Sequence, residues 1–250
     1  MKWKLAGSFT VSLILAMSAY AAPHSSASAK NAGERQIRIR IYNYAQVDSG
    51  DLVNAERITD DILHQAGVEA VWMECSAGDI PAKDTACKIP FGPMDVRLNL
   101  LPQSMAARFE LGADKFGVAL ENAEGVAWIF CDLVRDAAAK EKLTRSVLLG
   151  TVISHELGHL LLSTNSHSPF GLMKAKWSGK ELLAVEHRAM YFSSSENKKI
   201  QQAVIARQQS AVDESQSANP RPLNIDSESN ASRDGIQSDK SIDHSGSSSW

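Results

Sequence analysis

One stretch of the sequence constrains the fold more than any other, because residues 144–162 are apolar on nearly every side of a helix. A helix that is apolar nearly all round belongs in the interior of a domain. The pattern therefore predicts a buried central helix over 144–162. The apolar positions that define it are Val147, Leu148, Leu149, Val152, Ile153, Leu157, Leu160 and Leu161.

Two histidines and a glutamate lie among the apolar residues of this helix: His155, Glu156 and His159. Two histidines four residues apart share one helix face and converge on one ion. Burying three such groups without partners costs several kcal/mol, whereas a bound metal and its water satisfy all three. Chance also produces the His-Glu-x-x-His pattern, but chance histidines on a solvated face have polar neighbours. The apolar surroundings therefore favour a metal site.

The chemistry predicted for this site is metal-assisted hydrolysis with one catalytic zinc ion (Zn2+). Imidazole nitrogens suit zinc, which lowers the pKa of a bound water to about 7. Glu156 follows the first ligand directly and is placed to take the proton of that water as general base. The activated water then attacks a carbonyl group, and zinc polarises the developing oxyanion.

A catalytic zinc takes three protein ligands and keeps one position open, so a third ligand is needed. His167 is the best candidate, since residues 163–166 read Ser-Thr-Asn-Ser and favour a turn back over the helix. An exposed loop histidine is the alternative reading of His167. Asn165, Glu181 and Glu186 remain competitors for the ligand position.

The remaining periodicities predict an α+β domain, with strands preceding a mainly helical second half. We predict a loop over 79–93 and a serine cap at Ser194 or Ser195 for the last helix. The strands are predicted at 36–47, 68–75, 95–101, 116–121 and 126–134, with flanking helices at 51–65, 179–190 and 195–209.

The two ends have compositions that predict no part of the core. Residues 1–21 combine Lys2 and Lys4 with a short apolar run and small residues, which is typical of a signal peptide cleaved after Ala21. A retained membrane anchor is the alternative, but the run is short for a span. Residues 22–35 are expected to be flexible, 36–212 to form the peptidase domain, and the Ser- and Asp-rich 213–250 to be a disordered tail.

The predicted export and the net charge limit the location of the protein and the classes of partner it can have. We expect a secreted or periplasmic protein without stable membrane insertion after signal cleavage. A net charge of −3 and no basic face argue against nucleic acid. In an oxidising compartment Cys75 and Cys87 can form a disulfide, which would stabilise the fold by roughly 3 kcal/mol. Cys131 is then a small buried hydrophobe, and a Cys/His metal site is the less favoured alternative.

With these residues in view, the chain resembles the metzincin clan of zinc peptidases. The stretch 155–173 reads HELGHLLLSTNSHSPFGLM, which supplies the clan's His155, Glu156 and His159. Gly-Leu-Met at its end resembles the clan's methionine turn, so that Met173 lies under the metal. The resemblance implies a mixed sheet with a first helix, a buried active-site helix, a Met-turn and a C-terminal helix. It also implies a protein or peptide substrate.

The sequence departs from the clan at two positions. Leu162 stands where the clan has glycine, and Asn165 stands where it has the third histidine. If His167 is the ligand, the helix runs further before it turns. Most of 37–209 is also similar to exported bacterial proteins of the Acidobacteria, through Trp72, Cys75, Cys87, His167, Ser168, Met173 and Trp177.

Two other functional readings stay open. A gluzincin-like peptidase would use Glu181 or Glu186 as the third ligand. A non-catalytic zinc-binding domain would have no need of Glu156 and would close the fourth position with protein. Met173 is read alternatively as core filler and Trp177 as packing, while Tyr191 is a weak candidate for oxyanion stabilisation. Substrate preference and oligomeric state are left undetermined.

Overall fold

Strands dominate the first half of the chain and helices the second. The computed structural model describes residues 35–77, 81–109, 115–120 and 125–218. The predicted signal peptide, nearly all of the predicted N-terminal segment and most of the predicted tail lie outside these residues. The elements are β1 (Gln36–Asn43), α1 (Ser49–Gln65), β2 (Glu69–Cys75), β3 (Asp95–Leu101), α2 (Gln103–Ala106), β4 (Gly117–Leu120), β5 (Val126–Phe130), α3 (Cys131–Glu141), α4 (Arg145–Leu162), α5 (Gly179–Glu186) and α6 (Ser194–Ala218).

The described strands form one mixed sheet in the order β2-β1-β3-β5-β4. The pairs β1–β2, β1–β3 and β3–β5 are parallel, while β4 runs antiparallel to β5 and occupies an edge. The predicted α+β class, with a mixed sheet, a first helix and a buried central helix, is confirmed. The last helix also follows the central one as predicted.

One face of the sheet is covered by α1 and α4, which cross each other closely at Gly150. A Cβ at Gly150 would lie only 2.5 Å from the backbone oxygen of Ala55 in α1. Thr59 uses this proximity, since its hydroxyl donates to the carbonyl oxygens of both Ala55 and Gly150. Every residue from Ser146 to Leu161 of α4 is buried. The fold therefore encloses α4 between the sheet, α1 and the segments that follow it.

The opposite face of the sheet is also partly covered, as the burial of Arg40 in β1 shows. Arg40 is only 3% exposed. Its guanidinium donates to Asp95 and to the carbonyl oxygens of Ile89 and Pro90, in the connection between β2 and β3. Burial alone raises the pKa of Asp95, but hydrogen bonds from Arg40, Gly92 and Arg38 outweigh it and lower that pKa.

A disulfide fastens the same connection to the sheet. Cys75, at the end of β2, is bonded to Cys87, as the sequence spacing suggested. Cys131 is a free, partly buried thiol whose pKa is raised to about 12, mainly by burial. None of the three cysteines therefore belongs to a metal cluster within the described residues.

Several boundaries differ from the sequence prediction. Residues 131–134 were predicted to extend a strand, but they begin α3, which the sequence analysis missed. Strand β5 ends at the rim of the sheet, and the chain continues as α3. The apolar side chains of Val134 and Ala138 are buried on the packed face of this helix. Helix α5 stops at Glu186, earlier than predicted, and α6 continues to Ala218, beyond the predicted end at 209.

The cap of α6 was also placed wrongly. Ser193, rather than Ser194 or Ser195, accepts a hydrogen bond from the Glu196 backbone, and the Glu196 carboxylate accepts one from the Ser193 backbone. This reciprocal pair is a capping box. The chain divides into two compact units, Met1–Ala211 and Val212–Trp250, and the sheet belongs to the first. No described helix is long and apolar enough to cross a membrane.

Glu56, on α1, gives the fold a pH dependence that can be measured. Burial, followed by the charges of Glu74 and Asp60, raises the pKa of Glu56 to about 7. Its Oε1 is buried and has no hydrogen-bond partner among the described residues. Because the folded protein favours the protonated acid, the stabilisation is full below the ordinary pKa of 4.5 and is lost as the pH rises through 7.

We predict that Glu56→Gln leaves thermal stability nearly unchanged at pH 5 and raises it at pH 8. The gain should be about 1 kcal/mol after allowance for solvent screening of this partly exposed group. Thermal unfolding followed by circular dichroism at both pH values measures it. Val53→Ala, which changes an exposed residue of the same helix without altering its charge, should show no such pH-dependent gain. An equal effect of Glu56→Gln at both pH values would contradict the assignment.

Candidate metal centre

Helix α4 brings the first two histidines together in the interior. His155 is 9% exposed and His159 is 6% exposed. Since they lie one helical turn apart on the same face, their rings meet, and the two Nε2 atoms are 3.1 Å apart. Two nitrogens bound tetrahedrally to one zinc at 2.0–2.1 Å are separated by about 3.3 Å. The spacing of this pair therefore fits a shared metal ion.

Each of these two rings is oriented by a backbone carbonyl. The Nδ1 of His155 donates to the carbonyl oxygen of Leu172 at 2.8 Å, and the Nδ1 of His159 donates to that of Thr164 at 2.7 Å. A histidine whose Nδ1 carries the proton offers the lone pair of Nε2 to a metal. Both Nε2 atoms are thereby prepared as ligands on the same side of α4.

The turn after α4 returns the chain over the same helix face. Ser163 ends the helix in the left-handed conformation, with φ of 47°. The backbone N–H of Thr164 then donates to the carbonyl oxygen of His159, at 3.2 Å. Thr164 therefore bonds to His159 twice, through its N–H to the backbone and through its carbonyl to the ring. This pairing fixes the direction in which the chain leaves the helix.

His167 lies at the end of this return, beside the other two histidines. Its ring centroid is 5.4 Å from that of His155 and 4.8 Å from that of His159. One ligand nitrogen from each of the three rings can be chosen so that all lie within 4.8 Å of one another. His167 is exposed, whereas the other two are buried. The three histidines are thus a group that can hold a metal ion.

The electrostatics of the cluster favour neutral imidazoles, which are the form that binds metals. Burial, helped by the charges of His159 and His167 and opposed by the hydrogen bond to Leu172, lowers the pKa of His155 to about 4. Burial also lowers the pKa of His167, as does the charge of Lys115. Three neutral nitrogen donors of this kind suit zinc.

Glu156 lies on α4 against the edge strand β4. It is 6% exposed, and its side chain occupies the space that a side chain at Gly117 would need. A Cβ at Gly117 would be 2.8 Å from Cγ and 2.9 Å from Oε1 of Glu156. Burial raises the pKa of Glu156 to about 8, while the positive charge of Lys115 lowers it. A cation bound by the neighbouring histidines would favour the ionised carboxylate.

Met173 packs against α4. Met173 is 1% exposed. Its Sδ would be 2.5 Å from a Cβ at Gly158, the residue directly before His159. Met173 lies within a turn in which Gly171 has φ of 74° and its carbonyl oxygen accepts a hydrogen bond from the backbone N–H of Lys174. Trp177 lies edge-on to the His155 ring, at 5.7 Å.

The carboxylates that compete for the ligand position bind other groups of the protein. Glu181 forms the capping box of α5 with Ser178 and an ion pair with Lys174 at 2.6 Å. Glu186 accepts hydrogen bonds from the backbone and hydroxyl of Thr144, before α4. Asn165 is exposed. Tyr191 lines a small pocket with residues of α1 and α4, and none of the three histidines lines it.

The sequence analysis missed the glycines that give these groups their room. Gly117 admits Glu156, and Gly158 admits Met173. A glycine inside a strand pattern is a signal of close approach by a neighbouring group, so Gly117 offered a hint. The carbonyl partners of the histidines gave no such signal, because any residue has a carbonyl group.

Comparison with known proteins gives limited additional information. No protein-family model matches the chain, and no curated protein matches it. Among solved structures, it is similar to a zinc-dependent peptidase from Methanocorpusculum labreanum, with 14% identity, a TM-score of 0.44, and coverage of 65% of this chain and 99% of the other. It is also similar to archaemetzincin from Methanopyrus kandleri, with 14% identity, a TM-score of 0.42, and coverage of 68% and 97%. At these values neither likeness bears on the chemistry of the site.

The ligand set can be tested by zinc affinity. We predict that His167→Ala weakens zinc binding by more than about 100-fold, because losing a ligand costs more than losing a supporting contact, worth 10–100-fold. Glu181→Ala should retain the affinity and lower the melting temperature, since it removes the N3 half of the capping box of α5. Competition with a chromophoric chelator measures the first, and thermal unfolding the second. Loss of zinc in Glu181→Ala alone would favour the gluzincin-like arrangement.

Proposed function

We propose that the chain is a zinc-dependent peptidase in which His155, His159 and His167 hold one metal ion and Glu156 is the general base. The observation that carries this proposal is the arrangement around α4. Three imidazoles meet on one side of the helix, and a buried carboxylate from the adjacent position lies against an edge strand. A metal-dependent hydrolase needs these two elements together.

The residues have separate tasks in this proposal. A bound zinc ion supplies positive charge that polarises a carbonyl group and acidifies water. Glu156, kept ionised by the charge of the bound cation, would take a proton from the attacking water and deliver it to the departing amine. The carbonyl oxygens of Leu172 and Thr164 fix the tautomer with the proton on Nδ1 in the two helix histidines, so that each Nε2 is the atom offered to a metal.

An extended peptide is the substrate class that the surroundings of Glu156 support. Strand β4 pairs only with β5 among the described strands, so its other side offers unpaired backbone groups. An extended peptide can add to such an edge through main-chain hydrogen bonds. Because Glu156 lies against Gly117 in this strand, a peptide bound there would bring its carbonyl groups close to the general base.

Two alternatives are less well supported. In the gluzincin-like reading, Glu181 or Glu186 binds the metal, but each carboxylate already caps a helix. In the non-catalytic reading, protein closes the fourth position, whereas the described residues supply three candidate ligands. Glu156 would then be a buried acid without a task. Similarity to the exported bacterial proteins and the Met-turn role of Met173 are part of the same proposal.

We also propose that the protein works outside the cytoplasm. The disulfide between Cys75 and Cys87 supports this, since such bonds persist in oxidising compartments. The predicted signal peptide over residues 1–21 would direct the export, and its cleavage remains a prediction.

The base can be tested with the isosteric variant Glu156→Gln. We expect about one zinc per chain as in the wild type, and cleavage of an unstructured protein such as casein reduced by 10²–10⁴-fold, since the proton acceptor is gone. Metal content by elemental analysis and cleavage by release of soluble peptides measure the two effects. Asn165→Ala, beside the site, is the control and should change neither. Cleavage that survives Glu156→Gln would make the catalytic assignment wrong.

Gly117→Ala tests the space around the base. The added methyl group would lie 2.8 Å from Cγ of Glu156 and 2.8 Å from the backbone oxygen of Trp128, so it would displace Glu156 and press on β5. A misplacement of the base near 1 Å can reduce catalysis about 100-fold. We therefore expect kcat to fall by about that factor while zinc content is kept. Ala119→Gly changes the same face of β4 without crowding Glu156, and it should keep most of the activity. If both variants lose kcat equally, the effect belongs to the strand rather than to the base.

A further inference from the structure

The carboxylate of Glu196 joins the start of α6 to the segment that carries His167. Glu196 is 7% exposed. Its Oε2 accepts from the backbone of Ser193 at 2.6 Å, as part of the capping box of α6. Its Oε1 accepts a hydrogen bond from the hydroxyl of Ser168, which directly follows His167. The two oxygens therefore bind different parts of the chain. Ser168 lies 28 residues before Glu196 in the sequence.

Capping explains only one of these two contacts. The cap of α6 needs the reciprocal bonds between Ser193 and Glu196, and these are complete without Ser168. The contact with Ser168 adds nothing to the helix end. It instead fixes a residue of the non-helical segment between α4 and α5, so a second role has to be sought there.

His167 is the member of the histidine group that most needs such a support. His155 and His159 lie on a buried helix, and a carbonyl oxygen orients each ring. His167 is exposed and lies in neither a helix nor a strand. The backbone next to it is anchored through Ser168, whose N–H donates to Met173 and which forms a single β-bridge with Lys174. The hydroxyl contact with Glu196 ties this anchor to α6.

We propose that Glu196 is a positioning residue that holds His167 in place through Ser168 and thereby sets the affinity of the site for metal. This inference rests on the metal site of the proposed function. The physical reason is preorganisation: a ligand whose backbone is already fixed loses less conformational freedom when the metal binds. A charged acceptor makes a stronger hydrogen bond than a neutral one, which suits a tie of this kind.

The test compares two serines that bind the same carboxylate. Ser168→Ala removes the hydrogen bond between Ser168 and Glu196 and leaves the capping box. Ser193→Ala removes the serine side chain of the capping box and leaves the bond between Ser168 and Glu196. Zinc affinity of the full chain is measured by competition with a chromophoric chelator, and stability of the metal-free chain by thermal unfolding. We expect Ser168→Ala to weaken zinc binding by 10–100-fold, the range found for supporting contacts of metal ligands. Ser193→Ala should lower the melting temperature and keep the affinity.

Two further variants sharpen the result. Ser168→Thr keeps a hydroxyl and should restore most of the affinity. Glu196→Ala should show both losses, and adding Ser168→Ala to it should weaken zinc binding no further, because the two groups act as one unit. Unchanged affinity in Ser168→Ala, or equal losses of affinity in Ser168→Ala and Ser193→Ala, would overturn the inference.

The same measurements separate this inference from the proposed function. If the wild type binds zinc but cleaves no peptide, the peptidase proposal fails and the affinity comparison still decides the role of Glu196. If the wild type cleaves peptides and Ser168→Ala binds zinc as tightly, only the inference about Glu196 fails. A wild type that takes up no zinc overturns both.

Discussion

The burial of three polar side chains on α4 is the constraint on which the structure depends. A buried helix offers no water to His155, Glu156 or His159, so each must find a partner in the protein or bind a ligand. The two histidines find backbone carbonyls on the segment that follows the helix. Their remaining nitrogens face each other and the ring of His167. The path of the chain after α4 is therefore tied to the chemistry of the helix itself.

Three glycines allow neighbouring groups to reach α4 or its carboxylate. Gly150 lets the backbone of α1 approach the helix, and Gly158 lets Met173 lie against its other side. Gly117 lies in β4 and leaves room for Glu156. Protein interiors are packed too densely for such positions to accept even a methyl group without movement. The helix is thus held by direct backbone and side-chain contacts on several sides, which keeps the histidines in a fixed relation to the edge strand.

Carboxylates organise the segments around the site without joining the histidine group. Glu181 and Glu196 cap α5 and α6 and also reach Lys174 and Ser168 in the segment that carries His167. Glu186 bonds to Thr144, immediately before α4. Acidic groups at helix N-termini are stabilised by the unpaired N–H groups and by the helix dipole. In this chain Glu181 and Glu196 connect α5 and α6 to the segment that carries the candidate metal ligand His167.

The sequence by itself determined the features that depend on local spacing. The apolar pattern of α4, the alternation in β1 and β3, and the pairing of histidines four residues apart were all readable, because a helix or strand repeats over a few residues. Tertiary structure decided the rest. Residues 131–134 continue an apolar run, yet they belong to α3 because the sheet ends there. Arg40 is buried because the disulfide-linked connection folds over it. Whether His167 meets His155 depends on which distant segments come together, and no local pattern records that.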